Sequence, residues 1–296
     1  MANVQDLKRR IRSVRNTRKI TKAMELVASA RLRRAQTRIE AMRPYADRML
    51  ELIAGVARAS ASVRSIPLLQ RREVRTVAIV PLTGDRGLAG AFNGQVIRRS
   101  LQLERELRGE GKDVRWLVAG KKGRSTLTFR RYDLVAAWTG FSDRPEYADA
   151  QAIAHRLTEL FVEGDVDAVQ LVYNEYESPL VQRVTVKEVL PIEEHLLETD
   201  EEERREDAMR GDFIFEPEPE QILERLVPVY LETQIYRALL ESAASEQGAR
   251  MTAMRNASKN AGELIEGLTL QMNRARQAAI TQELLEVVAG ADALQG

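Results

Sequence analysis

The chain has 296 residues, a formal net charge of +1, 44% hydrophobic and 30% charged residues, and no cysteine. The lack of cysteine excludes disulfides, thiolate metal sites, a cysteine nucleophile and thiol-based redox control. Because no apolar segment is as long as a membrane span and no signal-peptide pattern opens the chain, the sequence predicts a soluble protein of a reducing compartment.

The small net charge conceals one basic end and one acidic segment. Residues 1–40 hold twelve Lys or Arg against three acidic residues, whereas residues 193–224 hold fourteen Asp or Glu against three arginines. The acidic stretch 191–219 is predicted to be a solvated, mobile loop, and no functional site is assigned to it.

The N-terminal arm is predicted to be one helix that ends near residue 59, with a kink at Pro44. Its apolar residues have the spacing of one helix face and occur at Val4, Leu7, Ile11 and Val14, and again at Ile20, Met24 and Val27. The basic residues between them have three possible explanations. They form an ordinary solvated face, a nucleic-acid-binding helix, or a basic shaft inside an acidic protein collar.

The central region alternates predicted strands and helices. Strands are expected at residues 74–82, 113–119, 132–138, 168–174 and 181–189, helices at about 94–108 and 145–162, and a helix or turn at 121–131. This alternation predicts a Rossmann-like α/β domain with a mostly parallel sheet and one antiparallel edge.

A glycine-rich loop follows the first strand, where doubly wound sheets hold phosphate groups. Gly84, Gly87 and Gly90 have the spacing G-x-x-G-x-x-G instead of the dinucleotide pattern, and Gly120-Lys121 lacks the rest of a P-loop. Two interpretations stay open, a nucleotide site or glycines that only permit a tight turn, and the second is favoured.

The C-terminal region from residue 229 is predicted to be one long helix, since the last proline is Pro228. Its apolar residues are spaced alternately by four and three and form a narrow seam at Ala261, Ile265, Leu268, Met272, Ala275 and Ala279. Some sixty helical residues would reach about 90 Å and need a partner along that length. The N-terminal helix is the expected partner, in an antiparallel coiled coil.

Several stretches resemble the gamma subunit of rotary F-type ATP synthases. At the N-terminus these are residues 6–25, DLKRRIRSVRNTRKITKAME, and residues 27–35, VASARLRRA. At the C-terminus they are residues 245–254, SEQGARMTAM, residues 259–264, KNAGEL, and residues 280–293, ITQELLEVVAGADA. The loop 84–90, GDRGLAG, is similar to the family pattern, with Ala89 where a cysteine is common.

The resemblance implies a non-catalytic rotor subunit with no cofactor. The coiled coil would stand in a ring of three alpha and three beta subunits, and the α/β domain would contact the epsilon subunit and the membrane c ring. The residues expected to contact the alpha and beta collar are Lys8, Arg9, Met24, Arg276, Gln277, Thr281, Gln282 and Glu286. The expected structural loop of the α/β domain contains Gly84, Asp85, Gly87, Gly90 and Asn93.

The expected division of the chain is a coiled-coil helix at 1–60, an α/β domain at 73–190, an acidic linker at 191–220 and a second coiled-coil helix at 221–296. The expected location is the cytoplasmic side of a bacterial cell membrane, as a peripheral protein. Two rivals remain at this point: a nucleotide-binding α/β enzyme with helical dimerisation arms, and a basic-arm nucleic-acid protein whose binding weakens with salt.

Overall fold

The computed structural model describes residues 4–59, 66–70, 72–179, 181–192 and 218–293. It contains α1 (Val4–Ala59), a 3₁₀ turn (Pro67–Leu69), β1 (Thr76–Pro81), α2 (Phe92–Gly109), β2 (Asp113–Ala119), α3 (Lys121–Phe129), β3 (Leu134–Trp138), α4 (Tyr147–Val162), β4 (Ala168–Tyr176), β5 (Gln182–Leu190) and α5 (Pro219–Ala293). The predicted fold class, an α/β domain between two long terminal helices, is confirmed.

Contacts divide the chain into two compact units, and both long helices run through both of them. One unit, called the helix pair below, combines residues 4–28 of α1 with residues 250–293 of α5; the other, called the sheet unit, comprises the described residues of 29–249. The four-part division expected from the sequence remains a prediction.

The sheet unit is built on five strands in the order β3-β2-β1-β4-β5. The first four strands are parallel, and β5 pairs with β4 in the antiparallel direction as predicted. The chain moves outward from β1 to β3 and then returns to β4 on the other side of β1. The strand order therefore reverses between β1 and β4, which is the position where open α/β sheets place a ligand.

Alternation of side chains along the central strands gives the sheet two apolar faces. Val77 and Ile79 pack with residues of α2 and α3, whereas Ala78 and Val80 pack with residues of α1, α4 and α5. Both faces of the sheet are covered by helices. This explains why the strands are nearly continuous runs of apolar residues in the sequence.

One predicted helix boundary is wrong. Helix α5 begins at Pro219 and contains Pro228, instead of beginning after that proline. A proline inside a helix costs about 3 kcal/mol, but Leu223, Val227 and Leu231 around it are all at most 1% exposed. Burial of this apolar face offsets the lost backbone hydrogen bond. Helix α1 likewise continues through Pro44, and most of the predicted acidic loop lies outside the described residues.

Within the helix pair, α1 and α5 are antiparallel. The guanidinium of Arg255 donates to the Glu25 carboxylate at 3.2 Å, and the guanidinium of Arg18 lies over Gly262. Seven residues backward along α1 thus correspond to seven residues forward along α5. The predicted seam of α5 is less exposed than its surroundings from Ala261 to Ala275, although its last predicted member, Ala279, is exposed.

The predicted seam of α1 is wrong in its second half. Ile20 and Val27 are 60% and 54% exposed, whereas Thr21, Glu25 and Ala28 are buried. A period of 3.5 residues that starts at Leu7 and Ile11 continues to Thr21, Glu25 and Ala28. Ile20 and Val27 are each one residue before a member of this series, and one residue turns a side chain by about 100° around the helix, away from the partner helix. The seam continues there through polar residues.

Glu25 is the charged group of this seam. Its carboxylate accepts hydrogen bonds from Lys22 at 3.0 Å and from Arg255 at 3.2 Å, and its side chain is 9% exposed. The hydrogen bond from Lys22 lowers the pKa of Glu25 most, burial opposes it, and the bond from Arg255 lowers the pKa further. Because the folded-state pKa is lowered, the stabilisation is present above the ordinary pKa and disappears as the pH falls below it.

We expect Glu25→Gln to reduce the free energy of unfolding by about 1 kcal/mol at pH 7, since both cationic neighbours are more than half exposed. The difference from the unsubstituted chain should shrink as the pH falls through the lowered pKa of Glu25. Urea unfolding followed by circular dichroism measures both values. Glu263→Gln is the control, because Glu263 is exposed on the same helix pair. An equal loss in the two variants would contradict the assigned role.

Candidate functional site: a helix clamp at the carboxyl edge of the sheet

The carboxylate of Asp85 joins three loops at the carboxyl ends of β1, β2 and β3. Its two oxygens accept backbone N–H bonds from Lys121 at 2.9 Å, Gly140 at 2.9 Å and Ser142 at 3.0 Å. The Asp85 backbone N–H in turn donates to the Ser142 hydroxyl at 2.8 Å. Asn93 holds the same glycine loop, since its side-chain oxygen accepts the Gly84 N–H at 2.8 Å.

These bonds determine the ionisation of Asp85. Partial burial alone would raise its pKa, but the hydrogen bonds from Ser142, Gly140 and Lys121 together outweigh burial and lower the pKa. Asp85 is therefore an anion that stabilises the fold above its ordinary pKa.

The N-terminus of α3 is fully used by groups of the chain itself. The N–H of Lys121 binds Asp85, that of Lys122 binds the Gly84 carbonyl at 3.0 Å, and that of Gly123 binds the Thr83 hydroxyl at 2.9 Å. A helix N-terminus favours a bound anion, and here the anion is the carboxylate of Asp85. This arrangement favours the structural interpretation of the loop.

The crevice between the ends of β1 and β4 is filled by α5. Glu246 is 1% exposed, and a methyl group added at Gly84 would come within 2.8 Å of its carboxyl group. Ser245 donates to the carbonyl of Asn174, in β4, at 2.9 Å. Gly248 lets the β4–β5 hairpin approach, since an added methyl would be 3.2 Å from the Pro179 carbonyl.

Asp143, in the loop before α4, connects both long helices to the glycine loop. It pairs with Arg31 of α1 at 2.8 Å and with Arg86 at 3.4 Å, and it accepts from Gln247 of α5 at 3.2 Å. Gln36 of α1 also donates a hydrogen bond to the Tyr176 hydroxyl at 2.7 Å. We call the contacts of Asp143, those of α5 described above and this hydrogen bond the helix clamp. Its residues are Arg31, Gln36, Gly84, Arg86, Asp143, Asn174, Tyr176, Pro179, Ser245, Glu246, Gln247 and Gly248.

The glycines singled out in the sequence have unequal roles. Gly84 makes the close approach to α5, and Gly90 has a positive φ of 57°. Gly87 has space, since an added methyl would be 3.8 Å from the nearest atom of Lys122. The tightest position is Gly120, with a φ of 98° and the Thr83 carbonyl oxygen 1.9 Å from an added methyl.

The predicted collar residues lie on the helix pair, away from the clamp in sequence. Lys8, Arg9 and all residues from 276 to 290 are exposed, and Met24 is half-buried. The amide of Gln282 donates to the Glu286 carboxylate at 3.0 Å, and the Thr281 hydroxyl donates to the Gln277 carbonyl at 3.0 Å. The same stretch of α5 contains exposed apolar side chains as well, at Ile280, Leu284, Leu285, Val287 and Val288.

Sequence reasoning missed most of the clamp. Asp143 and Gln36 carry no motif, and their contacts with Arg31, Gln247 and Tyr176 each span more than a hundred residues. One usable signal existed in α5: the run from Glu241 to Gln247 places five polar residues in a helical segment that is otherwise apolar and, as the structure shows, buried. Polar groups inside a buried helix segment need specific partners.

Within the residues that the structure describes, none of the helices combines the length and the apolar character that crossing a bilayer requires.

The ligand crevice of this Rossmann-like sheet holds one of the chain's own helices. The fold therefore defines a class of structural subunit in which an α/β domain holds two long helices. Comparisons identify the family. A profile of the family described as ATP synthase matches residues 3–294. The chain is 46% identical to the ATP synthase gamma chain of Rubrobacter xylanophilus, with 99% of each chain covered, and 45% identical to that of Cyanothece sp., with 100% of each covered. The chain belongs to the ATP synthase gamma-chain family.

Solved structures give the same fold. A chain in the central stalk and c-ring structure of the Tetrahymena thermophila mitochondrial ATP synthase has a TM-score of 0.59 and 28% identity, covering 81% of this chain and 99% of that chain. A chain in the OSCP/F1/c-ring structure of the Euglena gracilis mitochondrial ATP synthase has a TM-score of 0.69 at 18% identity, covering 98% and 94%. The second likeness concerns the fold alone.

The clamp predicts a specific cost for removing Asp143. Asp143→Ala leaves Arg31, Arg86 and Gln247 without this acceptor and should lower the free energy of unfolding by about 1–3 kcal/mol. Asp133→Ala is the control, because Asp133 is an exposed aspartate of the same sheet unit. Urea unfolding of the two variants makes the comparison; equal stabilities would show that Asp143 does not hold the helices.

The glycine geometry predicts a contrast between two single substitutions. Gly120→Ala forces a side chain against the Thr83 carbonyl at a positive φ and should cost about 3 kcal/mol or more. Gly87→Ala should change the free energy of unfolding by less than about 1 kcal/mol. Thermal unfolding of both variants tests this, and a severe loss in the Gly87 variant would restore a constrained role to that glycine.

Proposed function

We propose that the chain is the central-stalk rotor subunit of an ion-translocating rotary ATP synthase, which transmits rotation of a membrane c ring to catalytic beta subunits. One observation carries this proposal: the carboxyl edge of the sheet is committed to holding α1 and α5 through Asp143 and the segment 245–248. A base that grips both helices can pass a turning force into them.

The division of labour in the complex follows from this arrangement. As a member of the gamma-chain family, the chain is a non-catalytic subunit of an enzyme complex. Its task is mechanical, since ATP is made or hydrolysed on beta subunits while an asymmetric shaft changes their states in turn. Coupling of distant sites through rigid elements needs an element that both sites bias. We assign that role to the long helices.

The helix pair is the proposed shaft, wound as an antiparallel coiled coil inside an alpha and beta collar. Its polar seam at Thr21 and Glu25, with Arg255 opposite, fixes the register of the two helices. The outer side of α1 is strongly basic, and Lys8 and Arg9 are exposed there. A basic surface attracts acidic collar loops without deep pockets, which permits rotation.

Met24 and the exposed C-terminal turns of α5 are the proposed contact points. Met24 is half-buried beside exposed Ile20 and Val27, so an unbranched apolar side chain meets the collar there. The exposed apolar residues 280–288 suit an apolar bearing. On the same helix, a polar group consisting of Arg276, Gln277, Thr281, Gln282 and Glu286 can form hydrogen bonds with loops of one beta subunit and hold one rotor angle.

The remaining proposed partners are the epsilon subunit and the c ring, in contact with the sheet unit and the adjoining part of the helices. The proposed location is peripheral, on the cytoplasmic side of a bacterial cell membrane. The coupling ion is a proton or sodium. The filled crevice at Gly84 argues against the rival nucleotide-dependent enzyme, and the absence of aromatic residues from 1–40 disfavours the nucleic-acid rival.

The polar group on α5 provides the test. Arg276→Ala with Gln282→Ala should slow ATP turnover of a complex assembled with alpha and beta subunits severalfold, because each charge-assisted contact is worth about 1.5–3 kcal/mol. The melting temperature of the isolated variant should stay near that of the unsubstituted chain, since both residues are exposed.

The control is Arg124→Ala with Gln95→Ala, two exposed residues of the sheet unit. Failure of the unsubstituted chain to co-purify with alpha and beta subunits would overturn the proposed function. Normal turnover of the Arg276 and Gln282 variant in an assembled complex would overturn only this residue assignment.

A further inference from the structure

An arginine-lined cleft lies beside the helix clamp, within the sheet unit. It encloses about 590 Å³ between α1, the loop before α4, and α5. The charged groups around it are Arg31, Arg34 and Arg38 of α1, Arg144 of the loop, and the carboxylate of Asp143. This cleft is separate from the glycine loop, and its lining is different from that of the crevice filled by Glu246.

Asp143 is the one carboxylate among the residues that line the cleft, so the chain neutralises the four arginines only in part. Arg31 pairs with Asp143 at 2.8 Å, and Arg38 donates to the neutral carbonyl of Pro145 at 3.4 Å. Arg34 and Arg144 are exposed, and among the described residues no carboxylate lies within salt-bridge distance of either. Four cations against one anion leave an excess of three positive charges in one cleft.

The spacing on α1 explains the shared direction of three of these cations. Residues 31, 34 and 38 are separated by three and four positions, so they lie on one face of the helix. Like charges so placed repel one another and destabilise the helix. A bound multivalent anion would turn this repulsion into attraction.

The cleft also has an apolar part. Leu240 and Ala243 of α5 are buried at 5% and 4% exposure, and they line the cleft with Ala35 of α1. A free phosphate would use the arginines and leave this apolar surface uncovered. A ligand that combines a chain of phosphates with an organic ring would use both parts.

We propose that this cleft binds a nucleoside triphosphate, with the phosphates on the arginines and the base against the apolar residues. The planar guanidinium group of arginine matches the oxygens of a phosphate and forms two parallel hydrogen bonds. The volume is within the usual range for small-molecule sites, about 300–1,000 Å³. The ligand would be bound and not hydrolysed. The inference goes beyond the rotor function, because it assigns a ligand to the rotor subunit itself.

Binding here would reinforce the helix clamp. The ligand would touch Arg34 of α1, Arg144 of the loop and Leu240 of α5, which are the three elements that Asp143 already connects. A ligand that binds only the folded chain raises its stability with concentration. The nucleotide concentration would then set how firmly the sheet unit holds its helices.

The test uses the isolated full chain in calorimetric titration and thermal unfolding at low ionic strength. ATP should bind at one site per chain and raise the melting temperature. The double variant Arg34→Ala with Arg144→Ala should weaken this binding about tenfold or more, as expected for the loss of charge-assisted hydrogen bonds. The control, Arg33→Ala with Arg124→Ala, removes two exposed arginines outside the cleft and should bind like the unsubstituted chain.

Tripolyphosphate and AMP separate the two parts of the ligand. ATP should bind more tightly than either one. Tripolyphosphate binding as tightly as ATP would overturn the nucleoside part of the proposal. The absence of saturable ATP binding at millimolar concentration, or equal binding by the double variant and the unsubstituted chain, would overturn the whole. These measurements use no other subunit, so their failure leaves the proposed rotor function untouched.

Discussion

The fold depends on one constraint: the place where an open α/β sheet would accept a ligand is occupied by its own helix. The segment from Ser245 to Gly248 lies at the ends of β1 and β4, where Glu246 faces Gly84 and Ser245 bonds to Asn174. The glycines reduce bulk there, and Asp85 holds the loops that form the walls.

Charge has a structural use at this edge that resembles ligand binding. The carboxylate of Asp85 satisfies the amide at the start of α3, as a phosphate does in a nucleotide-binding relative of this architecture. Glu246 supplies a second buried carboxylate beside the glycine loop. This edge of the sheet is thus suited to anions, and the anions found there are the carboxylates of Asp85 and Glu246.

The helix pair uses polar groups for a different purpose. An apolar seam alone permits two helices to slide past each other by a heptad, because each register buries similar side chains. Glu25 keeps Lys22, its neighbour on α1, in every register, but it accepts from Arg255 of α5 only in this one. Loss of that second partner is costly for a buried carboxylate, so the polar seam selects the register even though a purely apolar one could bind more tightly.

The sheet could be predicted from the sequence because its strands are buried on both faces. Such strands consist of runs of apolar residues, as at Val77–Val80. The seam of α1 was predictable at Leu7 and Ile11 and failed at Thr21, where the same period is continued by polar residues. Apolar periodicity cannot reveal a polar seam. Asp143 could not be found either, since its role arises only when distant segments meet.

The antiparallel pairing of α1 with α5 also restricts how the chain can change in length. An insertion of one residue within the paired segment of either helix would turn the side chains beyond it by about 100° and disturb the register that joins Glu25 to Arg255. Insertions are neutral to the pairing only if they fall between the two helical segments. The pairing therefore couples the lengths of residues 4–28 and 250–293 and sets no length for the region between them.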